Sequence, residues 1–199
     1  HVSVDATGQA LLVANYSSGS VASLPITADG TLGEAVSVHQ HEGTGGDPRR
    51  QRGPHAHSIT VDPGNRFAFA ADLGIDKLMA YQLDPAKATL TPAASPSVPL
   101  APGAGPRHIA FQPQGTAVYV VNELNCTVTA FAYDAKTGAC TERQVISTLP
   151  RSIQKGDTTA DIHVSPDGRF LYASNRGHDT LVCFGIDAQS GLLTLVGHT

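Results

Sequence analysis

Short runs of alternating apolar and polar residues recur along the chain, each entered through a tight-turn signature. The signatures are Asp5-Ala-Thr-Gly8, Asp62-Pro-Gly-Asn65, Gln112-Pro-Gln-Gly115 and Ser165-Pro-Asp-Gly168. Each ends in Gly or Asn, the residue types that most readily take positive φ in a turn. The turn ends stand 57, 50 and 53 residues apart, which gives a repeat of about fifty residues with loops of variable length. Seven residues beyond each turn end stands Asn15, Asp72, Asn122 or Asn175. Six further on come Val21, Leu78, Val128 and Leu181, and three beyond those Leu24, Tyr81, Phe131 and Phe184.

Each unit reads as four strands. In the third these are His108 to Phe111, Ala117 to Asn122, Thr127 to Tyr133 and a weaker Glu142 to Thr148, supported by period-two alternation and β-branched or aromatic residues. Gly30, Gly138 and Gly191 mark the turn from third to fourth strand. Four-stranded units at this spacing predict an all-β chain built of β-propeller blades, with approximate units 1–53, 54–104, 105–159 and 160–199. The segments His39 to Gly53, Thr91 to Gly105 and Pro150 to Thr159 precede the first strands of units two, three and four. They are predicted as irregular loops on one face, and loops of that length tend to carry function.

Composition narrows the classes. Thirteen Lys and Arg against seventeen Asp and Glu leave a formal charge of −4, which argues against a basic face for nucleic acid or a membrane surface. No apolar run approaches the roughly 18 residues of a membrane span. Cys126, Cys140 and Cys183 form no C-x-x-C pair and read as reduced thiols of a cytoplasmic protein. Gly43-Thr-Gly45-Gly46 lacks the Lys and Ser/Thr of a phosphate-binding loop, and no G-x-S-x-G hydrolase elbow occurs.

Residues that depart from the repeat are the candidates for chemistry. Eight residues before the turn end, units two and three carry His57 and Arg107 where unit four has Ala160. Eight residues after it, units three and four carry Glu123 and Arg176 where units one and two have Tyr16 and Leu73. Both slots lie at the same end of the first hairpin, where the long loops also emerge. Propeller geometry converges them on one polar pocket at the channel mouth, and such a cluster is costly to desolvate without solvent or a ligand. His55 and His57, at i and i+2, should face the same side of a strand. With His108 or Asp161 they are metal-ligating types, but the spacing matches no zinc motif, and neither metal nor cofactor is expected. The run Asp47-Pro-Arg-Arg50 with Arg52 reads as a solvated loop that could reach an anionic substrate at the mouth.

Pro54-His-Ala-His57, Gly105-Pro-Arg-His108, Val121-Asn-Glu-Leu124-Asn125, Ala160-Asp-Ile-His163 and Tyr172-Ala-Ser-Asn-Arg176 together resemble the lactonase family of seven-bladed propellers. That family includes propeller-type 6-phosphogluconolactonases and a 3-carboxymuconate lactonizing enzyme. The resemblance implies that His57, Arg107, Glu123 and Arg176 are catalytic, and we expect His55, His108, Asn122 and Asn175 to contact substrate. It implies opening of a small anionic lactone, with Glu123 or His57 as base. The alternatives are cycloisomerisation of a carboxymuconate (a polycarboxylate substrate) and, in another class, a non-catalytic YVTN-type binding propeller suggested by Tyr119-Val-Val-Asn122. Four units against seven predict that the sequence is part of a longer one, and an oligomer is compatible with this reading.

Overall fold

The computed structural model describes all 199 residues, His1–Thr199. Sixteen strands form four antiparallel four-stranded sheets in sequence order. Blade 1 holds β1 (Val2–Val4), β2 (Ala10–Asn15), β3 (Ser20–Pro25) and β4 (Ser37–Gln40). Blade 2 holds β5 (Ala56–Val61), β6 (Phe67–Asp72), β7 (Lys77–Asp84) and β8 (Thr89–Pro99), and blade 3 holds β9 (Pro106–Phe111), β10 (Ala117–Asn122), β11 (Thr127–Asp134) and β12 (Ala139–Ser147). Blade 4 holds β13 (Thr158–Val164), β14 (Phe170–Arg176), β15 (Thr180–Ile186) and β16 (Leu193–His198). The first strands of neighbouring blades adjoin one another and form the inner wall.

The turn residues behave as their chemistry requires. Gly8, Asn65, Gly115 and Gly168 all take positive φ, between 55° and 72°. A second left-handed position closes the turn between second and third strands, at Gly19, Asp76, Cys126 and Asp179. A Cβ at Gly19 would also lie 2.5 Å from the Pro54 carbonyl oxygen. Blade 2 lacks a Gly between its third and fourth strands. It turns through a short 3-10 segment, Pro85–Lys87, ending on Ala88 at φ 49°.

Packing explains which strands alternate. Blades 2 and 3 are covered on both faces, so β6 and β10 are buried at every residue. Along β10, Val118 and Val120 pack toward Phe69 and Phe131, while Ala117, Tyr119 and Val121 pack toward Leu171 and Phe184 of blade 4. A third cluster, with Leu12, Val21, Ile59 and Ala70, joins blades 1 and 2. The outer faces of the end blades leave Val2, Val4 and Val38, and Tyr172, Leu181 and Val196, exposed.

Two sequence expectations need correction. The segment Thr91 to Gly105 is not irregular: through Pro99 it belongs to β8, and only 100–105 form a loop. Pro92, Pro96 and Pro99 are accommodated because β8 is an edge strand, where a missing N–H on the open side costs no ladder bond. The other two loops are also shorter, since His39 and Gln40 lie in β4 and Thr158 and Thr159 in β13.

Candidate active site

The inner strands of blades 2, 3 and 4 share one irregularity. In blade 2 the pairing jumps from Ala56–Asp72 to Ser58–Ala71, leaving His57 without a partner. In blade 3 it jumps from Pro106–Asn122 to His108–Val121, leaving Arg107. In blade 4 it jumps from Thr159–Asn175 to Ile162–Ala173, across Ala160 and Asp161. An extra residue in one strand bends it and re-aims a side chain. The slot of His57 and Arg107 is therefore a bulge, which period-two alternation does not predict. For the same reason His55 and His57 are not successive residues of one strand face: His55 precedes β5. They meet instead through Tyr16, whose ring stacks on His55 at 4.5 Å and presents an edge to His57 at 5.5 Å.

Glu123 is the centre of the site. It follows β10 directly, is 5% exposed, and is paired with three guanidinium groups. Arg107 Nε donates to Oε2 at 3.0 Å, Arg50 Nη2 donates to Oε1 at 2.8 Å, and Arg176 Nη2 lies 3.1 Å from Oε2. Burial acts to raise the Glu123 pKa. The Arg50 hydrogen bond and the charges of Arg176, Arg50 and Arg107 outweigh it and hold the carboxyl below its ordinary value. Arg107 Nη1 also donates to the Ala160 carbonyl at 2.5 Å, across the blade 3–blade 4 seam, and Arg176 Nη2 donates to the Thr159 carbonyl of its own blade at 2.8 Å.

His57 lies beside this cluster, its ring 5.2 Å from that of His108. Its Nδ1 is buried with no hydrogen-bond partner. Burial, then the charges of Arg107 and His108, pull its pKa down to about 4, so the imidazole is neutral at pH 7. His108 Nδ1 donates to the Asp161 carboxylate at 2.7 Å, and that carboxylate also pairs with His163 at 2.9 Å. No three His, Cys, Asp or Glu side chains converge in a way that could hold a metal ion.

Asn122 and Asn175 are placed elsewhere. Both are buried within their blades. Asn122 Nδ2 donates to the hydroxyls of Thr127 and Thr129, and Asn175 Nδ2 to the Thr148 carbonyl and the Thr180 hydroxyl. Asp72, in the same repeat slot, accepts from the His55 and Gly74 N–H groups and from buried His41, whose other ring nitrogen meets Tyr81. This slot pins the ends of the hairpins from which Glu123 and Arg176 project. The structure thus brings His57, Arg107, Glu123, Arg176, His55 and His108 to one mouth, and adds Arg50 and Tyr16.

The sequence of the whole chain, residues 1–199, matches the family model described as Lactonase, 7-bladed beta-propeller. The chain belongs to the lactonase propeller family. It is similar to the 6-phosphogluconolactonase of Bacillus subtilis, 43% identical over 98% of this chain and 55% of that one. It is 36% identical to the 6-phosphogluconolactonase of Pectobacterium carotovorum, over its full length and 56% of the relative. Among solved structures it superposes on the periplasmic gluconolactonase of Pseudomonas aeruginosa with TM-score 0.92 and 37% identity, covering 100% of this chain and 56% of that one. The chain thus spans about half the length of these lactonase relatives, and its four blades compare with the seven of the family description. No helix is long and apolar enough to cross a membrane, and the three cysteines are free.

Proposed function

We propose that the protein carrying this chain hydrolyses a small anionic sugar lactone, as a 6-phosphogluconolactonase. The observation that carries this reading is the triple pairing of Glu123, which concentrates three cations and one anion beside a neutral imidazole. Three guanidiniums and one carboxylate leave a net charge of +2 for an anionic substrate, and fixed guanidiniums suit a developing oxyanion.

In this mechanism a water attacks the lactone carbonyl carbon while the neutral His57 takes its proton. Negative charge grows on the carbonyl oxygen, facing the Arg107 and Arg176 donors that Glu123 does not use. Collapse of the tetrahedral intermediate breaks the ring C–O bond. The proton returns from His57 to the departing ring oxygen, giving the open hydroxy acid. Glu123, acidified by its three partners, acts as the anchor that sets the guanidiniums rather than as the base. His108 and His55 flank the imidazole, and Asn122 and Asn175 serve by fixing the hairpin ends. No cofactor enters these steps. The free thiols agree with a reducing compartment such as the cytoplasm, although the Pseudomonas neighbour is named as periplasmic.

Cycloisomerisation of a carboxymuconate would use the same arginines for carboxylates, and a binding propeller would need no such buried ion cluster. Turnover of 6-phosphogluconolactone and of 3-carboxymuconate by the complete gene product separates these readings. Hydrolysis of the lactone with Arg176→Ala reduced at least 100-fold in kcat/KM is the expected result. Conversion of only the muconate would transfer the site to cycloisomerisation, and unchanged turnover in Arg176→Ala would remove that residue from it.

A further inference from the structure

Arg50 has no counterpart in the repeat, because it lies on the connection between β4 and β5. Its placement is nevertheless built. The next residue, Gln51, is 1% exposed. Gln51 Nε2 donates to Asp76 Oδ1 and to the Leu73 carbonyl, both at 2.6 Å, and its Oε1 accepts from the Asp47 N–H. Buried Asp76 also accepts from the N–H groups of Gly46, Gly103 and Gly105, so one carboxylate ties together the loops entering blades 2 and 3. Asp47 Oδ1 in turn accepts from the Arg50 N–H at 3.2 Å.

From that tether the Arg50 side chain reaches across to blade 3. Nη2 bonds Glu123 and lies 3.4 Å from the Tyr16 hydroxyl. Arg107 and Arg176 each also bond a main-chain carbonyl, but Arg50 bonds none, and its Nε and Nη1 donate to no protein atom. Its side chain is 42% exposed, close to the 47% of Arg176 and well above the 16% of Arg107. Arg50 and Arg176 therefore form the open side of the cluster, and of these two only Arg50 spends no donor on a main-chain carbonyl.

We propose that Arg50, with the Tyr16 hydroxyl beside it, binds the phosphate ester at the end of the substrate remote from the lactone carbonyl, and so selects a phosphorylated lactone over its neutral analogue. This rests on the lactonase reading and names the specificity residue within it. A phosphate dianion matches the net +2 of the cluster, and a guanidinium with free N–H groups can address two of its oxygens at once.

The test compares 6-phosphogluconolactone with gluconolactone on the complete gene product, its Arg50→Gln variant and its Arg50→Lys variant. In Arg50→Gln the ratio of kcat/KM values, phosphorylated over neutral, is expected to fall at least tenfold, mainly through KM, with partial recovery in Arg50→Lys. An unchanged ratio, with both substrates losing equally, would overturn the proposal and leave Arg50 as a latch on Glu123. Should the parent protein hydrolyse neither lactone, the lactonase reading fails, and titration calorimetry with 6-phosphogluconate then decides on Arg50. At least tenfold weaker binding in Arg50→Gln supports the phosphate subsite. Equal binding, or none by the parent, overturns it.

Discussion

At the residue scale, the site depends on what each ionisable group is prevented from doing. Glu123 is buried yet ionised, because three guanidiniums stabilise its charge more than burial penalises it. His57 is kept neutral by burial and by neighbouring positive charge. If it is the base, kcat/KM should fall only as pH drops toward about 4, where His57 becomes protonated, and should stay level from pH 6 to 8. His57→Gln should lose about 100-fold or more in kcat along with that acid limb, and a pH–rate profile measures both. Arg107 bridges Glu123 and the Ala160 carbonyl through different nitrogens. A Lys, with one nitrogen, cannot span them, so Arg107→Lys should reduce kcat/KM at least tenfold with little change in melting temperature. Most of these residues were legible because the repeat supplies its own reference: His57, Arg107, Glu123 and Arg176 each differ from the residue in the same slot of another unit. Arg50 has no such slot. Its only signal was a basic run, and basic runs usually lie in solvent.

At the scale of strands and loops, the repeat was legible in outline and failed where geometry departs from period two. The bulges at His57, Arg107 and Ala160 leave no mark in hydrophobic alternation, since they arise from how the inner strand pairs with its neighbour. Asn122 and Asn175, each one residue before Glu123 or Arg176, are expected from the sequence to contact substrate. The pleat turns them into the blade instead, where Thr hydroxyls and a carbonyl receive them. In β8, edge position overrode the usual reading of Pro as a strand breaker. The loops owe their order to Asp76, which accepts four hydrogen bonds while nearly excluded from water. Asp76→Ala would strand those donors and should cost at least about 3 kcal/mol. Calorimetry would show this as a lowered melting temperature, together with a raised KM as Arg50 loses its support.

For the whole molecule, four blades were countable from four turn signatures, while closure around the axis was not. The figure of seven came through the family resemblance carried by motifs such as Pro54-His-Ala-His57, which the family match bears out, and not from the repeat count of this chain. Acid should weaken the assembly in two stages. Between pH 6.5 and about 4 the unfolded chain protonates His57 while the folded one does not, so stability falls as pH falls through that window. Below it, Asp161, held near 2 against burial by His108 and His163, adds a further loss as the unfolded chain takes up protons first. Thermal melts from pH 7 to pH 3 should show a continuous decline, and His57→Asn should flatten the part between 6.5 and 4.

A pH-stat record of acid released from 6-phosphogluconolactone by the complete gene product and by its Glu123→Gln variant tests the proposed site at its centre. Rapid release is expected from the parent protein, with at least a 100-fold slower rate in the variant, whose amide cannot hold three guanidiniums together. Release no faster than the spontaneous reaction, or equal rates in the two proteins, would contradict the proposed site.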